Sequence, residues 1–199
     1  MERNIRIGIG RHVFQRTIRQ LLTENHDDIS PRIHNLIADM VVELDELNGR
    51  VAAFDTEIKK LAETDPAMRR LSEIPGIGPM IASALVAAIG DGSAFTKGRD
   101  LSAWLGLVPR QVSTGGKAKL IGISKRGNPY LRKLFIHGAR TVLHLIKDRT
   151  TPLARWIDQL MLRRHGNVAA VAMANKLARI AWAVLTKNER FNQAALLGA

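Results

Sequence analysis

Hydroxyl side chains lie in a glycine- and lysine-rich segment of this chain, where they could act on a phosphodiester. Ser113 and Thr114 directly precede the pair Gly115 and Gly116, and Ser124 follows further along. A serine hydroxyl can attack a DNA phosphodiester and form a covalent phosphoserine, which conserves the bond energy for strand exchange. The two glycines permit a close approach of the backbone to the ligand. The segment therefore contains three candidate nucleophiles, the hydroxyls of Ser113, Thr114 and Ser124.

Cations surround these hydroxyls and could stabilise the charge on the non-bridging phosphate oxygens. The candidate DNA-binding side chains are Arg110, Lys117, Lys119, Lys125, Arg126 and Arg132. A plainer interpretation stays open, because serine, threonine and glycine are also the residues that tight turns favour.

The charge of the chain is strongly asymmetric. Residues 1–100 carry 13 Lys and Arg against 15 Asp and Glu, whereas residues 101–199 carry 17 against 3. The net charge is +12, and no acidic side chain occurs from Leu101 to Lys147. A positive field of this kind points to nucleic acid as the partner. Aromatic residues make up only 5% of the chain, which argues against base-stacking platforms for single strands.

The composition excludes several kinds of site. The chain has no cysteine, which excludes disulfides, thiolate zinc sites and a cysteine nucleophile, and suits a reducing cytoplasm. Residues 101–199 hold too few carboxylates to build a two-metal nuclease centre. We therefore expect no metal site in this chain and a cytoplasmic location.

The longest apolar stretch, Val168–Leu185, has the length of a membrane span. It contains Asn175, Lys176 and Arg179 near its centre, however, and charges at that depth cost several kcal/mol in lipid. The stretch is better interpreted as a buried, alanine-rich helix, and no membrane partner is expected.

A regular heptad pattern predicts a long coiled-coil helix. The pair Ser30-Pro31 is a typical helix start, and Asp65-Pro66 ends or kinks the helix. Between them, apolar residues alternate at steps of four and three, and the flanking positions are charged. The apolar residues are Ile33, Ile37, Met40, Leu44, Leu47, Val51, Phe54, Ile58 and Leu61. The alternative is a long amphipathic helix that packs on its own domain.

The segment Ile74-Pro-Gly-Ile-Gly-Pro79 lies between two further predicted helices and resembles a helix-hairpin-helix, which we place at residues 68–90. Gly76 and Gly78 would leave backbone N–H groups open at the positive end of the second helix, where a phosphate can bind. Such hairpins bind the DNA backbone without reading sequence. A tight turn between packed helices is the alternative.

Further helix starts are predicted at Asn128-Pro129 and Thr151-Pro152, with Asp100 and Asn167 as caps of two other helices. The predicted fold class is mostly α, with a long coiled-coil helix followed by a helical domain. That domain would contain the helix-hairpin-helix and a short irregular or β-containing loop region. The predicted division is a linker at 1–28, the coiled-coil helix at 29–66 and a C-terminal domain at 67–199.

Five short motifs, taken together, resemble one family. They are Ile74–Gly78, Asp91–Phe95, Leu101–Arg110, Ser113–Lys117 and Gly122–Asn128. Their order and content resemble the C-terminal transposase domain of insertion-sequence transposases that pair a RuvC-like DEDD domain with a serine-bearing domain. That family includes the bridge-RNA-guided recombinases and the relatives of the Piv invertase.

The resemblance implies a DNA recombinase that moves a mobile element. It makes Ser113 the best positional match to the serine nucleophile, with Thr114 and then Ser124 as alternatives. It implies that the heptad helix joins protomers into a homodimer or higher oligomer, and that guide RNA is a further partner. It also implies an N-terminal domain whose four acids hold Mg²⁺. Those acids are not found here, so we expect this chain to be the C-terminal part, with Mg²⁺ bound only by the other domain. The alternative function is a non-catalytic dimeric DNA-binding regulator.

Overall fold

The computed structural model of the protein describes residues 7–24, 29–114, 117–145 and 151–192. The prediction of a mostly α fold is confirmed. The helices are α1 (Arg11–Thr23), α2 (Pro31–Thr64), α3 (Pro66–Ser72), α4 (Pro79–Ile89), α5 (Gly98–Trp104), α6 (Pro129–Leu145), α7 (Pro152–Arg163) and α8 (Gly166–Lys187). Two strands, β1 (Pro109–Thr114) and β2 (Lys117–Ile123), form an antiparallel hairpin within the predicted loop region.

The chain divides into two compact units, with the boundary between Thr56 and Glu57, inside α2. The domain limits that we predicted at residues 28 and 66 remain predictions.

In the first unit, α1 lies against the first part of α2. Ile18 and Leu21 of α1 are buried. The Arg19 guanidinium donates to both carboxylate oxygens of Asp45, at 2.5 and 2.8 Å. Arg11 also donates to the side chain of Asn48. An apolar contact and polar pairs on its rim thus hold α1 to α2.

Helix α2 begins and ends where the sequence predicts. It starts at Pro31, after Ser30, whose carbonyl accepts from the N–H groups of Ile33 and His34. It ends at Thr64, and the Asp65 carboxylate then caps α3 by accepting from the Met68 N–H at 2.8 Å. Most of the heptad residues are exposed, including Met40, Leu47, Val51 and Phe54. The coiled coil stays a prediction.

In the second unit, the turn between α3 and α4 rests directly on α6. Gly76 has φ +88°, and a Cβ there would lie 2.5 Å from Val142 Cγ2 and 2.7 Å from the Gly138 carbonyl oxygen. A side chain at Gly138 would in turn meet the Gly76 carbonyl. The two glycines therefore allow a close contact between backbones.

The core of the second unit is built around α8. Its small side chains, among them Ala170, Ala174 and Ala178, are buried against α5 and α6. The Trp182 indole N–H donates to the carbonyls of Gly92 and Phe95. Helix α8 is long and apolar enough to cross a membrane, but 56% of its apolar window is buried inside the protein. A core helix accounts for this composition.

Two predicted caps differ from the observed ones. Helix α5 begins at Gly98, and Asp100 lies inside its first turn, where its carboxylate accepts from the Lys97 N–H at 3.2 Å. Helix α8 is capped by His165, whose Nδ1 accepts from the Asn167 N–H at 3.2 Å. The sequence predicts Asn167 as the cap of this helix, but the accepting side chain is the His165 imidazole. The caps at Asn128 and Thr151 are confirmed.

Candidate nucleic-acid interface

The hairpin register determines which side chains accompany the candidate nucleophile. Ser113 lies opposite Ala118, Gln111 opposite Leu120, and Val112 opposite Lys119. Cross-strand partners share a face of a two-stranded sheet, and successive residues alternate between faces. Ser113 therefore shares its face with Gln111 and Leu120.

The predicted cations of the hairpin lie on the other face. Arg110, Lys117 and Lys119 alternate out of phase with Ser113, and all three are exposed. A register shift between Pro109 and Arg110 marks a bulge at the base of the hairpin. The sequence therefore identified a basic ribbon, but its cations do not converge on the Ser113 hydroxyl within one chain.

Ser113 itself is accessible. It is exposed, and its Oγ accepts from the Gln111 side-chain amide at 3.2 Å. Thr114 pairs with Lys117 at the end of the ladder, and Gly115 and Gly116 lie outside the described residues. An exposed hydroxyl oriented by a neighbouring amide is compatible with attack on an external phosphate.

Ser124 has a different environment. Its backbone N–H donates to the Val108 carbonyl at 2.8 Å, which fixes the end of the hairpin. Its Oγ is buried and has no hydrogen-bond partner within the described part of the chain. A hydroxyl in that position is less accessible to a large substrate than the hydroxyl of Ser113.

The remaining predicted cations have unequal roles. Lys125 and Arg126 are exposed. Arg132 is half-buried, and its Nη1 donates to the carbonyls of Leu105 and Arg126, at 3.1 and 3.4 Å. Arg132 therefore holds the two segments that flank the hairpin, and this contact alone accounts for an arginine at the position.

The two predicted phosphate-binding glycines also differ. Gly76 packs on α6 as described above, so packing explains why glycine is needed there. Gly78 is exposed at the start of α4, with open space where its side chain would be. The Tyr130 hydroxyl lies 3.7 Å from Met80 Sδ, so the start of α4 is next to the start of α6. The helix-hairpin-helix function stays a prediction.

A basic groove that the sequence did not reveal lies beside the hairpin. Its volume is about 1040 Å³, and its walls are the hairpin base and one stripe each of α6, α7 and α8. Cationic side chains on its lining are Lys125, Arg140, Arg164, Lys176 and Arg179. Only Lys125 was predicted. The i, i+4 spacing of Trp156, Leu160 and Arg164 is a sequence signal that places these three residues on one face of α7.

Lys176 is the cation with the most altered environment in this groove. Burial, together with the nearby charge of Arg179, lowers the pKa of the Lys176 ammonium. The ammonium lies 5.3 Å from the centre of the Trp156 ring, within the range of a cation–π interaction. A bound anion would offset both unfavourable effects.

Within the described residues, no group of three or more histidines and carboxylates is placed to hold a metal ion. The side chains described here do not fit a Mg²⁺ site. The expectation that Mg²⁺ belongs to a separate acidic domain stays a prediction.

Sequence comparison supports a transposase-type domain that contains the hairpin. Residues 68–152 match the model of the transposase IS116/IS110/IS902 family. This segment includes the α3–α4 turn, the hairpin and α6, and thus every predicted site residue.

Two of the similar proteins are named transposases, and a third is named a gene-inverting protein. A probable family 20 transposase of Pseudomonas aeruginosa is 47% identical over 152 residues, which are 76% of this chain and 45% of that protein. The transposase for insertion sequence element IS1111A of Coxiella burnetii is 37% identical over 190 residues, covering 96% of this chain and 52% of that protein. The pilin gene-inverting protein of Moraxella bovis is 28% identical over 151 residues, covering 72% and 45%. The chain spans about half the length of these curated relatives.

Proposed function

We propose that this chain is the serine-bearing part of an insertion-sequence transposase, and that Ser113 is its nucleophile. The observation that carries the proposal is the exposed Ser113 hydroxyl on an acid-free hairpin, inside the segment that matches a transposase family. The relatives named above support the transposase role, and the chemistry is inferred from the residues.

In the proposed step, the Ser113 Oγ attacks a DNA phosphorus atom and an Oγ–P bond forms. The bond between phosphorus and the leaving deoxyribose oxygen breaks. The serine proton passes to solvent, and the leaving oxygen takes up a proton from solvent to become a hydroxyl. The Gln111 amide, 3.2 Å from Oγ, orients the hydroxyl. The phosphoserine then conserves the energy for rejoining the strand.

The opposite face of the hairpin would bind the DNA backbone. A two-stranded ribbon fits the major groove of DNA, where its two faces approach different phosphates. Arg110, Lys117 and Lys119 would then position the duplex, while Ser113 reaches the scissile phosphate. This arrangement reconciles the separation of the cations from the nucleophile.

Oligomerisation through α2 completes the proposal. The exposed heptad residues would pair with those of a second copy, and two hairpins would meet across the DNA. Guide RNA, a Mg²⁺-binding acidic domain and a cytoplasmic location belong to the same proposal, by resemblance to the family.

The test compares wild type with Ser113→Ala, in the presence of donor and target DNA, guide RNA and an acid-bearing domain from a full-length relative. We expect a covalent protein–DNA adduct in wild type and none in Ser113→Ala. Ser124→Ala is the matched control and should keep the adduct. An adduct that survives in Ser113→Ala would exclude Ser113.

A second candidate function is a dimeric regulator that binds DNA without cleaving it. The exposed seam of α2 favours it, together with the fact that the described residues contain no metal-binding cluster. Such a protein would bind DNA with a salt-dependent affinity and would never form the adduct under the same conditions.

A further inference from the structure

The groove beside the hairpin has three helical walls with matched spacing. Helix α6 contributes Ile136 and Arg140, and α7 contributes Trp156, Leu160 and Arg164. Residues four apart lie on one face of a helix, so each pair or triplet forms a continuous stripe. Helix α8 adds a stripe from Val168 to Arg179. The hairpin base closes the fourth side.

The charge of this groove has one sign. Five cations line it, and no acidic side chain among the described residues does so. Asp158 is two residues from Trp156 on α7, which is about 200° around the helix and away from the groove. Arg140 also donates to the Asn167 side chain at 3.2 Å, which joins α6 to the start of α8 at one end.

The cations lie at both ends of an apolar surface. Arg140 and Arg164 are at the end near Asn167, while Lys176 and Arg179 are further along α8. From Asn167 to Arg179 the helix rises roughly 18 Å, at about 1.5 Å per residue. Between these ends, the lining is predominantly aliphatic, with the Trp156 ring beside Lys176.

These features fit a single strand of nucleic acid. A groove of about 1040 Å³ has the size of a site for a small ligand or a few nucleotides. Single strands bind where cations follow the backbone and where bases stack on flat apolar groups. Arginine, which provides three of the five cations, suits phosphate because its planar guanidinium donates two parallel hydrogen bonds.

We propose that this groove binds a single-stranded polynucleotide, with phosphates at Arg140 and Arg164 and a base against Trp156. This surface is additional to the Arg110 and Lys119 face of the hairpin. Binding of a single strand in the groove does not depend on whether Ser113 is the nucleophile. The low aromatic content, which argued against such a platform, is offset because the fold places one tryptophan among these cations.

The first test measures the binding of labelled oligo-dT and oligo-rU to the full chain by fluorescence anisotropy. Of the two oligonucleotides, we consider the one that wild type binds more tightly. The double variant Arg140→Ala/Arg164→Ala should bind it at least about 10-fold more weakly than wild type does. The slope of log affinity against log salt, which is negative, should decrease in magnitude by roughly 1.4, at about 0.7 for each lost phosphate contact. The tighter oligonucleotide identifies the strand as DNA or RNA.

The matched control is Arg155→Ala/Arg163→Ala, which removes the same charge from exposed positions of α7 outside the groove. It should change the single-strand affinity less than about 2-fold. Ser113→Ala should leave the affinity unchanged, which separates this proposal from the proposed function. Duplex binding should respond to Arg110→Ala/Lys119→Ala and hardly to the groove variant.

The fluorescence of Trp156 gives a second readout of single-strand binding. Single-strand binding should quench the tryptophan fluorescence of wild type, and Trp156→Phe should abolish that quench while the protein stays folded. Equal affinity of wild type and the groove variant would overturn the proposal. Equal weakening of duplex and single-strand binding would also overturn it. The proposal would also be overturned if polyglutamate displaced the labelled oligonucleotide as effectively as unlabelled oligonucleotide does. That result would indicate an acidic peptide as the ligand.

Discussion

The Arg132 side chain, on α6, donates from Nη1 to the Leu105 carbonyl oxygen at 3.1 Å, and so joins α6 to the end of α5. The same nitrogen lies 3.4 Å from the Arg126 carbonyl oxygen. One guanidinium thus connects the segments that enter and leave the β-hairpin. The Asn175 side chain also donates to the Leu107 carbonyl, so Arg132 is one of several contacts that hold the hairpin on the helical core.

We expect Arg132→Ala to lower the free energy of unfolding by about 1–3 kcal/mol, because it leaves a partly buried carbonyl without its charged donor. Urea denaturation measures the effect. The control is Lys133→Ala on the exposed side of α6, which should cost about 0.5 kcal/mol or less. If Arg132→Ala were as stable as the control but lost DNA binding, Arg132 would be a DNA contact instead.

Gly76→Ala should destabilise the protein by about 2–4 kcal/mol. The new Cβ would meet the backbone of Gly138, and alanine would have to adopt a positive φ. Gly78→Ala is the matched change in open space at negative φ and should cost about 1 kcal/mol or less. Thermal unfolding compares the two variants, and equal losses would contradict the packing role of Gly76.

Removing cations from the basic face of the hairpin should weaken duplex binding. Arg110→Ala/Lys119→Ala should decrease the magnitude of the negative slope of log affinity against log salt by about 1.8, at roughly 0.9 for each phosphate contact. Electrophoretic mobility shifts at several salt concentrations measure this slope. An unchanged slope would place the duplex elsewhere on the molecule.

A charge in the α2 seam should disrupt oligomers. Leu47→Glu/Phe54→Glu replaces two exposed heptad residues, and like charges would face each other across a parallel seam. Analytical ultracentrifugation should show wild type as a dimer or larger and the variant as a monomer. The flanking control Glu46→Gln/Glu57→Gln should not dissociate the oligomer. A monomeric wild type would refute the coiled-coil assignment.

The pKa of Lys176 predicts a specific pH dependence. Because burial lowers this pKa in the folded state, the unfolded chain binds the proton more tightly, and the charged lysine opposes folding at neutral pH. The loss of stability caused by the charged Lys176 decreases as the pH rises through the pKa that this lysine has in the folded state. It is gone above 10.5, the pKa of an unperturbed lysine. Lys176→Met should therefore raise Tm at pH 7, and its advantage over wild type should shrink toward high pH. An advantage that did not vary with pH would show that packing, not charge, is responsible.

Local signals in the sequence predicted much of the fold. The caps at Asn128 and Thr151 need only a short side chain and a nearby N–H, so the residues themselves determine them. The cap at His165 escaped prediction because a histidine ring accepts there only in one tautomer.

Less of the candidate site than of the fold could be predicted from the sequence. Proximity in the chain suggested that Arg110 and Ser113 act together, but the alternation of the strand places them on opposite faces. The groove cations come from the hairpin base and from α6, α7 and α8, and only the packing of these elements brings them together. No pattern within one element predicts such a surface.

The most direct test of the central claim is mass spectrometry of the protein–DNA adduct after nuclease and trypsin digestion. Cleavage after Arg110 and Lys117 releases the peptide Gln111–Lys117, and cleavage after Lys119 and Lys125 releases Leu120–Lys125, which carries Ser124. We predict a nucleotide phosphate on Gln111–Lys117, with fragment ions that place it on Ser113. A phosphate on Thr114 or on Leu120–Lys125, or no modified peptide when the acidic domain is supplied, would contradict the account.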